Sequence, residues 1–132
     1  MSDNRPPVLT IDGPGGAGKG TISRLAAERL GWHYLDSGAL YRLLGLSAVE
    51  QNIPVDDEAA LCDLALALQI RFGAGHDESV YLEEREVSRL IRSEQAGTMA
   101  SKVAALPGVR AALLDRQRRF RQEPGLVADG RD

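Results

Sequence analysis

The chain has 132 residues, of which 43% are hydrophobic and 27% charged, with a formal net charge of −3. These proportions fit one soluble globular domain and exclude a disordered chain, while the acidic balance argues against a general nucleic-acid binder. No apolar run approaches the roughly 18 residues of a membrane span, and Cys62, the only cysteine, allows neither an intramolecular disulfide nor a cysteine zinc cluster.

Residues 1–7 are polar and lack an apolar signal core, which makes a cytoplasmic protein the expectation. Val8-Leu9-Thr10-Ile11-Asp12 is a nearly continuous apolar run between Pro7 and Gly13, the pattern of a strand buried on both faces of a parallel sheet. Gly13-Pro14-Gly15-Gly16-Ala17-Gly18 is too glycine-rich for the interior of a helix or strand. From Lys19, the spacing of Ile22, Leu25, Ala26 and Leu30 predicts a helix with those residues inward, stopped at Gly31. Trp32-His33-Tyr34-Leu35 is a second strand, completing a right-handed βαβ unit.

A second helix is predicted from Gly38 to about Gln51. A third follows Asp56 as N-cap, with Leu61, Leu64, Ala65 and Leu68 on one stripe. Ile70-Arg71-Phe72 and Val80-Tyr81-Leu82 are predicted to form a hairpin. Helical texture returns from Ser93 to Ala105. Another helix opens at Pro107 with Val109, Leu113 and Phe120 inward, and Gly125 to Asp129 is a third core strand. Three parallel strands make a thin sheet, and the 126–129 strand is expected to lack sheet neighbours and to expose an edge. The expectation is therefore an α/β domain cut short at Asp132.

The segment from Gly13 to Thr21 fits the phosphate-loop pattern G-x-x-x-x-G-K, except that Gly20 follows the lysine and the hydroxyl is displaced to Thr21. Glycines permit positive φ and let successive backbone N–H groups converge on one concavity. The helix starting near Lys19 adds the positive end of its dipole. Lys19 supplies a mobile charge for the β and γ phosphates, and Thr21 offers a hydroxyl to phosphate or, through water, to Mg²⁺. Gly13, Pro14, Gly15, Gly16, Ala17, Gly18, Lys19, Gly20 and Thr21 are thus candidate nucleotide-binding residues. The displaced hydroxyl is less typical of GTPases and motor ATPases than of small nucleotide kinases.

Two further constellations follow the second and third strands, at the sheet end where open α/β folds bind ligands. In Asp36-Ser37-Gly38-Ala39-Leu40-Tyr41-Arg42, Ser37 is placed to cap the helix and Arg42 to reach a second phosphate. In Asp129-Gly130-Arg131-Asp132, a carboxylate suits water-mediated Mg²⁺ and Arg131 suits phosphate. The plain alternatives are a capped helix with a solvated arginine and a polar Asp-Gly turn. Arg116, Arg118, Arg119 and Arg121 are expected to form a solvated helix face. Cys62 and Trp32 are expected in the core, and His33 and His76 have no metal-ligand spacing.

With these segments in place, the chain resembles the bacterial cytidylate kinases, the CMP/dCMP kinase family of P-loop nucleoside monophosphate kinases. The resemblance covers about residues 8–132. Its landmarks are Ile11-Asp12-Gly13-Pro14, Gly18-Lys19-Gly20-Thr21, Leu35 through Arg42, Val87-Ser88 with Ile91-Arg92, and Ala128 through Asp132. It implies an α/β P-loop kinase with a parallel core sheet flanked by helices. The core would be 1–37 and 106–132. A monophosphate-binding insert of about 38–105 would carry the hairpin, and the later core and the lid would be absent.

The resemblance further implies transfer of the γ-phosphoryl group of ATP to CMP or dCMP. ATP would be co-substrate and Mg²⁺ cofactor, in a monomer that needs neither nucleic acid nor membrane. Lys19, Arg42 and Arg131 would be catalytic, with the 13–21 loop on ATP. Arg42 and Arg131 would hold the acceptor phosphate with Ser37 close by, Ser101, Arg110 and Asp132 would read the cytosine, and Tyr41 and Asp129 would also bind the acceptor. No protein metal ligand is implied. Another small P-loop nucleotide or metabolite kinase or, for this fragment, a non-catalytic nucleotide-binding remnant are the alternatives, and the 132-residue chain alone is expected to be poorly stable and weakly active or inactive.

Overall fold

A computed structural model describes residues 5–12 and 18–130. The expectations for 13–17, Arg131 and Asp132 lie outside the described residues. The elements run β1 (Val8–Ile11), α1 (Lys19–Leu30), β2 (His33–Asp36), α2 (Ser37–Glu50), α3 (Glu58–Ala67) and β3 (Ile70–Phe72). Then come β4 (Val80–Leu82), β5 (Arg85–Glu86), α4 (Ser88–Ile91), α5 (Glu94–Ala104), α6 (Pro107–Arg119) and β6 (Leu126–Asp129). The chain divides into two compact units, one of residues 1–37, 72–78 and 117–132, the other of 38–71 and 79–116.

The first unit carries a parallel sheet ordered β1-β6-β2. Val8 and His33 flank Leu126, Leu9 and Tyr34 flank Val127, Thr10 and Leu35 flank Ala128, and Ile11 and Asp36 flank Asp129. The last strand is therefore the central one. This overturns the expectation that 126–129 lacks neighbours. The βαβ crossover places β2 one position away from β1, and the later strand fills the gap with its hydrogen bonds satisfied on both sides. Val127 is fully buried and Leu126 and Leu35 nearly so, as a strand covered on both faces demands. Val8 and Leu9, on β1, stay 40% and 41% exposed.

Helix α1 packs on β2 and β6. Its buried residues are Ser23, Arg24 and Ala27, whereas Ile22 and Leu30 are 57% and 47% exposed. The apolar stripe expected to point inward does so only in part. The small side chains of Ser23 and Ala27 make the contact face, since they let the helix approach the strands closely. The Ser23 hydroxyl donates to Lys19 O at 2.8 Å, so its burial leaves no unmet polar group. Gly31 ends the helix as expected, at φ 68° with its N–H shared between Ala27 O and Glu28 O. Tyr34 meets Phe72 edge-on at 5.6 Å between ring centroids, and Phe72 lies 6.0 Å from Phe120. The half-buried Trp32 covers Gly125, where a Cβ would stand 2.6 Å from the indole.

In the second unit the core is leucine-rich. Leu40, Leu43 and Leu44 of α2 are fully buried with Leu61, Val103 and Val109, each worth roughly 1.5–3 kcal/mol of apolar burial. α3 is capped by Asp57, not Asp56: Asp57 Oδ1 accepts from Ala60 N at 3.2 Å, the three-residue offset that capping requires. Ser93 caps α5 in the same way, accepting from Ala96 N at 3.1 Å. Cys62 is half-buried, and burial with Glu58 and Asp63 nearby pushes its thiol up. Arg116 Nη1 donates to Leu66 O at 3.1 Å, so the arginine stretch is not wholly a solvated face. Among the described residues no helix is long and apolar enough to cross a membrane.

The second sheet runs β3-β4-β5, so the expected pairing of 70–72 with 80–82 is present. Strand β5 and the single turn of α4 were not expected, because two to four residues carry no readable period. Tyr81 pairs with Glu86 and Leu82 with Arg85 across an antiparallel hairpin whose turn is Glu83-Glu84. Both turn residues have positive φ, 52° and 62°, the left-handed pair of a type I′ turn that favours Asn-Gly. Glu83→Asn with Glu84→Gly is expected to stabilise the protein by about 1 kcal/mol, measured by urea denaturation; an unchanged or lowered midpoint would contradict it.

Candidate active site

Three parallel strands end together in the first unit, and each ends in a carboxylate: Asp12 just after β1, Asp36 on β2 and Asp129 on β6. Lys19, the first residue of α1, directs its ammonium to Asp129 Oδ1 in a short ion pair. Asp129 is 5% exposed. Its other oxygen accepts from the Tyr34 hydroxyl at 3.2 Å, and its backbone carbonyl accepts from Ser37 Oγ at 3.2 Å. Ser37 is thus the first residue of α2 and a tie to the end of β6, instead of the expected cap. Gly130, at φ 78°, makes that tie possible: a Cβ there would crowd Ser37 Oγ at 3.0 Å.

The electrostatics follow from this packing. The hydrogen bond to Asp129 holds the Lys19 ammonium above the ordinary lysine value of 10.5. Burial opposes this, and the charges of Asp129, Asp36 and Asp12 add to it. Burial, reinforced by Asp36 and Asp129, pushes the Tyr34 phenol well above its usual range, so it remains a donor. The result is a fully charged lysine at the start of a helix. That helix has neither a side-chain cap nor an acidic residue in its first turn. Backbone N–H groups left unmatched at such a terminus attract anions.

Gly20 stands where the usual hydroxyl would, close to Arg24. A Cβ at that position would stand 3.2 Å from Arg24 Nη1 and 3.5 Å from Asp129 Oδ2. A serine or threonine directly after the lysine would press on the Arg24 guanidinium while meeting Asp129 at ordinary contact, and the hydroxyl comes one residue later. Thr21 is half-buried, and its Oγ1 accepts from Arg24 Nη2 at 3.3 Å.

The second unit holds other candidates. Arg42, half-buried on α2, donates from Nη1 to Ile91 O at 2.7 Å. Its guanidinium lies against Gly97 of α5, where a Cβ would be 3.3 Å from Nη2. Tyr41 beside it is half-buried, while Ser101 on α5 and Arg110 on α6 are exposed. Lys19, Ser37 and Asp129 are thus brought together, with Gly20 and Thr21 next to Lys19 on α1 and Gly18 as its N-cap. Gly13, Pro14, Gly15, Gly16, Ala17, Arg131 and Asp132 are not among the described residues. Sequence reasoning gave no site role to Arg24 or Tyr34. Arg24 is buried at 8% exposure, and its charge on an otherwise ordinary helix carries no local signal. Among the described residues no group of three or more His, Cys, Asp or Glu is arranged to hold a metal ion.

The cytidylate kinase family model matches residues 9–132. The curated cytidylate kinase of Aeromonas salmonicida is 58% identical over 127 residues, covering 96% of this chain and 55% of that protein. That of Methylococcus capsulatus is 56% identical over 126 residues, 96% of this chain and 57% of the relative. That of Pseudomonas aeruginosa is 57% identical over 129 residues, 96% and 56% respectively. The chain spans about half the length of the curated relatives it matches. With a phosphate-loop lysine on an uncapped helix at the ends of parallel strands, and a match over nearly all of its residues, the chain belongs to the cytidylate kinase family.

Proposed function

We propose that this chain is the nucleotide-binding part of an ATP-dependent kinase that phosphorylates CMP or dCMP, giving CDP or dCDP. The observation that carries the reading is Lys19, charged, at the open start of α1 and held by Asp129. ATP phosphates would exchange for that carboxylate on the same ammonium. The loop from Gly13 to Thr21 would wrap them with backbone N–H groups. The family relationship supports the rest: Arg42 and Arg131 would bind the acceptor phosphate, with Ser37, Tyr41 and Asp129 beside it. Ser101, Arg110 and Asp132 would recognise the cytosine, within an acceptor insert of about 38–105.

Chemically, the acceptor needs little activation. A phosphate monoester with a second pKa of about 6 is already a nucleophile at neutral pH. Catalysis then consists of positioning and charge neutralisation, with no general base. Mg²⁺ is part of this proposal. A hard strand-end carboxylate such as that of Asp129 suits a nucleotide-borne ion held through water, and no all-protein cage is required. Bound Mg²⁺ would supply charge neutralisation on the transferring phosphates. A cytoplasmic monomer acting on nucleotides alone, without membrane or nucleic acid, completes the reading.

The test is an acceptor panel with the full-length protein. CMP and dCMP are expected to exceed UMP in kcat/KM by about 10⁴, because a site built on hydrogen bonds leaves its polar groups mispaired with the wrong base. Cytosine presents an amino donor where uracil presents a carbonyl, and an ionised Asp132 accepts from that amino group. Asp132→Ala should therefore narrow the CMP/UMP ratio. If both acceptors fall in equal proportion, Asp132 reads no base, and a preference for AMP would replace the cytidylate reading.

A further inference from the structure

Arg24 is the one buried arginine among the described residues, and three groups of the first unit fix its guanidinium. Nε donates to Gly75 O at 3.1 Å, and Nη2 donates to Glu78 Oε1 at 3.1 Å and to Thr21 Oγ1 at 3.3 Å. Gly75 and Glu78 lie 51 and 54 residues further along the chain. Gly75 is itself confined: its φ is +61°, and a Cβ there would run into the Glu28 carboxylate. Segment 72–78 is thus pinned to the helix whose first turn carries Lys19 and Thr21. The ion pair with Glu78, 56% exposed on the glutamate side, contributes little stability. Its effect is to orient a planar donor fork.

We propose that Arg24 is a positioning residue of the phosphate site: it sets the Thr21 hydroxyl as a hydrogen-bond donor to a phosphate oxygen. A threonine hydroxyl has one hydrogen to give and two lone pairs, whereas a guanidinium only donates. Arg24 therefore occupies a lone pair of Thr21 Oγ1 and leaves its hydrogen for another acceptor. Of the two partners open to Thr21, phosphate and water-bound Mg²⁺, a fixed positive charge 3.3 Å from the oxygen favours the anion. The inference rests on the nucleotide-binding reading above.

The test is a double-mutant cycle on this 132-residue protein, read by calorimetric titration with inorganic triphosphate and with ATP. Arg24→Met and Thr21→Val are each expected to weaken triphosphate binding about 10-fold, and the double variant no further, because both remove one charge-assisted interaction. Multiplicative losses near 100-fold would mean that Arg24 acts independently of the hydroxyl, and the proposal falls. It falls equally if Arg24→Met binds as the wild type does. Glu78→Gln separates the loop anchor from the hydroxyl: affinity within about twofold is expected, and a loss as large as that of Arg24→Met would assign the effect to segment 72–78. Should Arg24→Met not fold, Arg24→Lys replaces it in the cycle, since one ammonium cannot serve three acceptors. A wild type that binds triphosphate without coupling overturns the role of Arg24 alone. A wild type that binds neither probe overturns the nucleotide reading and this inference with it.

Discussion

In a full-length protein with the kinase activity proposed above, Lys19→Ala is expected to lower phosphoryl transfer to CMP by about 10²-fold or more, while thermal unfolding stays cooperative. The ammonium sits at the start of α1 among three strand-end carboxylates, so its charge is fixed in place before any nucleotide arrives. Negative charge grows on the transferring phosphoryl group, and a preorganised cation there lowers the barrier more than it tightens the ground state. The lysine side chain is 23% exposed, so water enters where it is removed, and Asp129 keeps the Tyr34 hydroxyl as a partner. The pH dependence has a definite sign. Because the folded-state pKa is raised above 10.5, the contribution of the pair to stability is complete below that value. It is lost only as pH rises through the raised one. An alkaline fall in activity near neutrality therefore has another origin. Turnover by Lys19→Ala close to that of the parent, with an unchanged melt, would remove Lys19 from the mechanism.

Val127→Asp is expected to unfold the protein or to cost about 4 kcal/mol or more. Val127 has no exposed surface and stands in the central strand between Leu9 and Tyr34. A carboxylate there finds no water, and the strand has no free side through which to turn it outward. Val8→Asp is the matched control. It puts the same charge on β1 at a residue 40% exposed, where the expected loss is about 1 kcal/mol or less. Urea denaturation of both variants, with the soluble yield as a second readout, compares them. Equal losses would contradict a central β6.

The strands themselves were legible as short apolar runs, but the burial read from them held for only one: Leu126 to Asp129 is covered on both faces, whereas Val8 to Ile11, expected to be buried likewise, is largely exposed at the sheet edge. Their order was not legible, since no period in the sequence says which strand is whose neighbour. The α1 stripe was misread for a different reason. Ile22 and Leu30 satisfy helical periodicity, yet the contact face was chosen by size, through Ser23 and Ala27. Capping missed by one residue at Asp57, where two aspartates stand in succession, and Ser93, read only as the start of helical texture, is the cap of α5. At the site, local motifs marked Lys19 and Asp129 separately. Their union joins residues 110 positions apart, and the grip of Arg24 on Gly75 crosses 51. Such pairings are products of topology, and spacing along the chain does not encode them.

The central place of β6 also dictates an order of events during synthesis. Neither β1 nor β2 has a sheet partner among the described residues until Leu126 to Asp129 exist, because each pairs only with β6. At a translation rate of about 5–20 residues per second, β1 waits roughly 6–24 s after its own synthesis for its neighbour. In that interval the helices between them can fold on contacts close in sequence, which form orders of magnitude faster than distant pairings. The leucine-rich unit of residues 38–71 and 79–116 is thus made before the carboxylate-bearing end of the sheet exists. Lys19 is made among the first 20 residues, yet it waits 110 residues for Asp129, the partner of its ion pair.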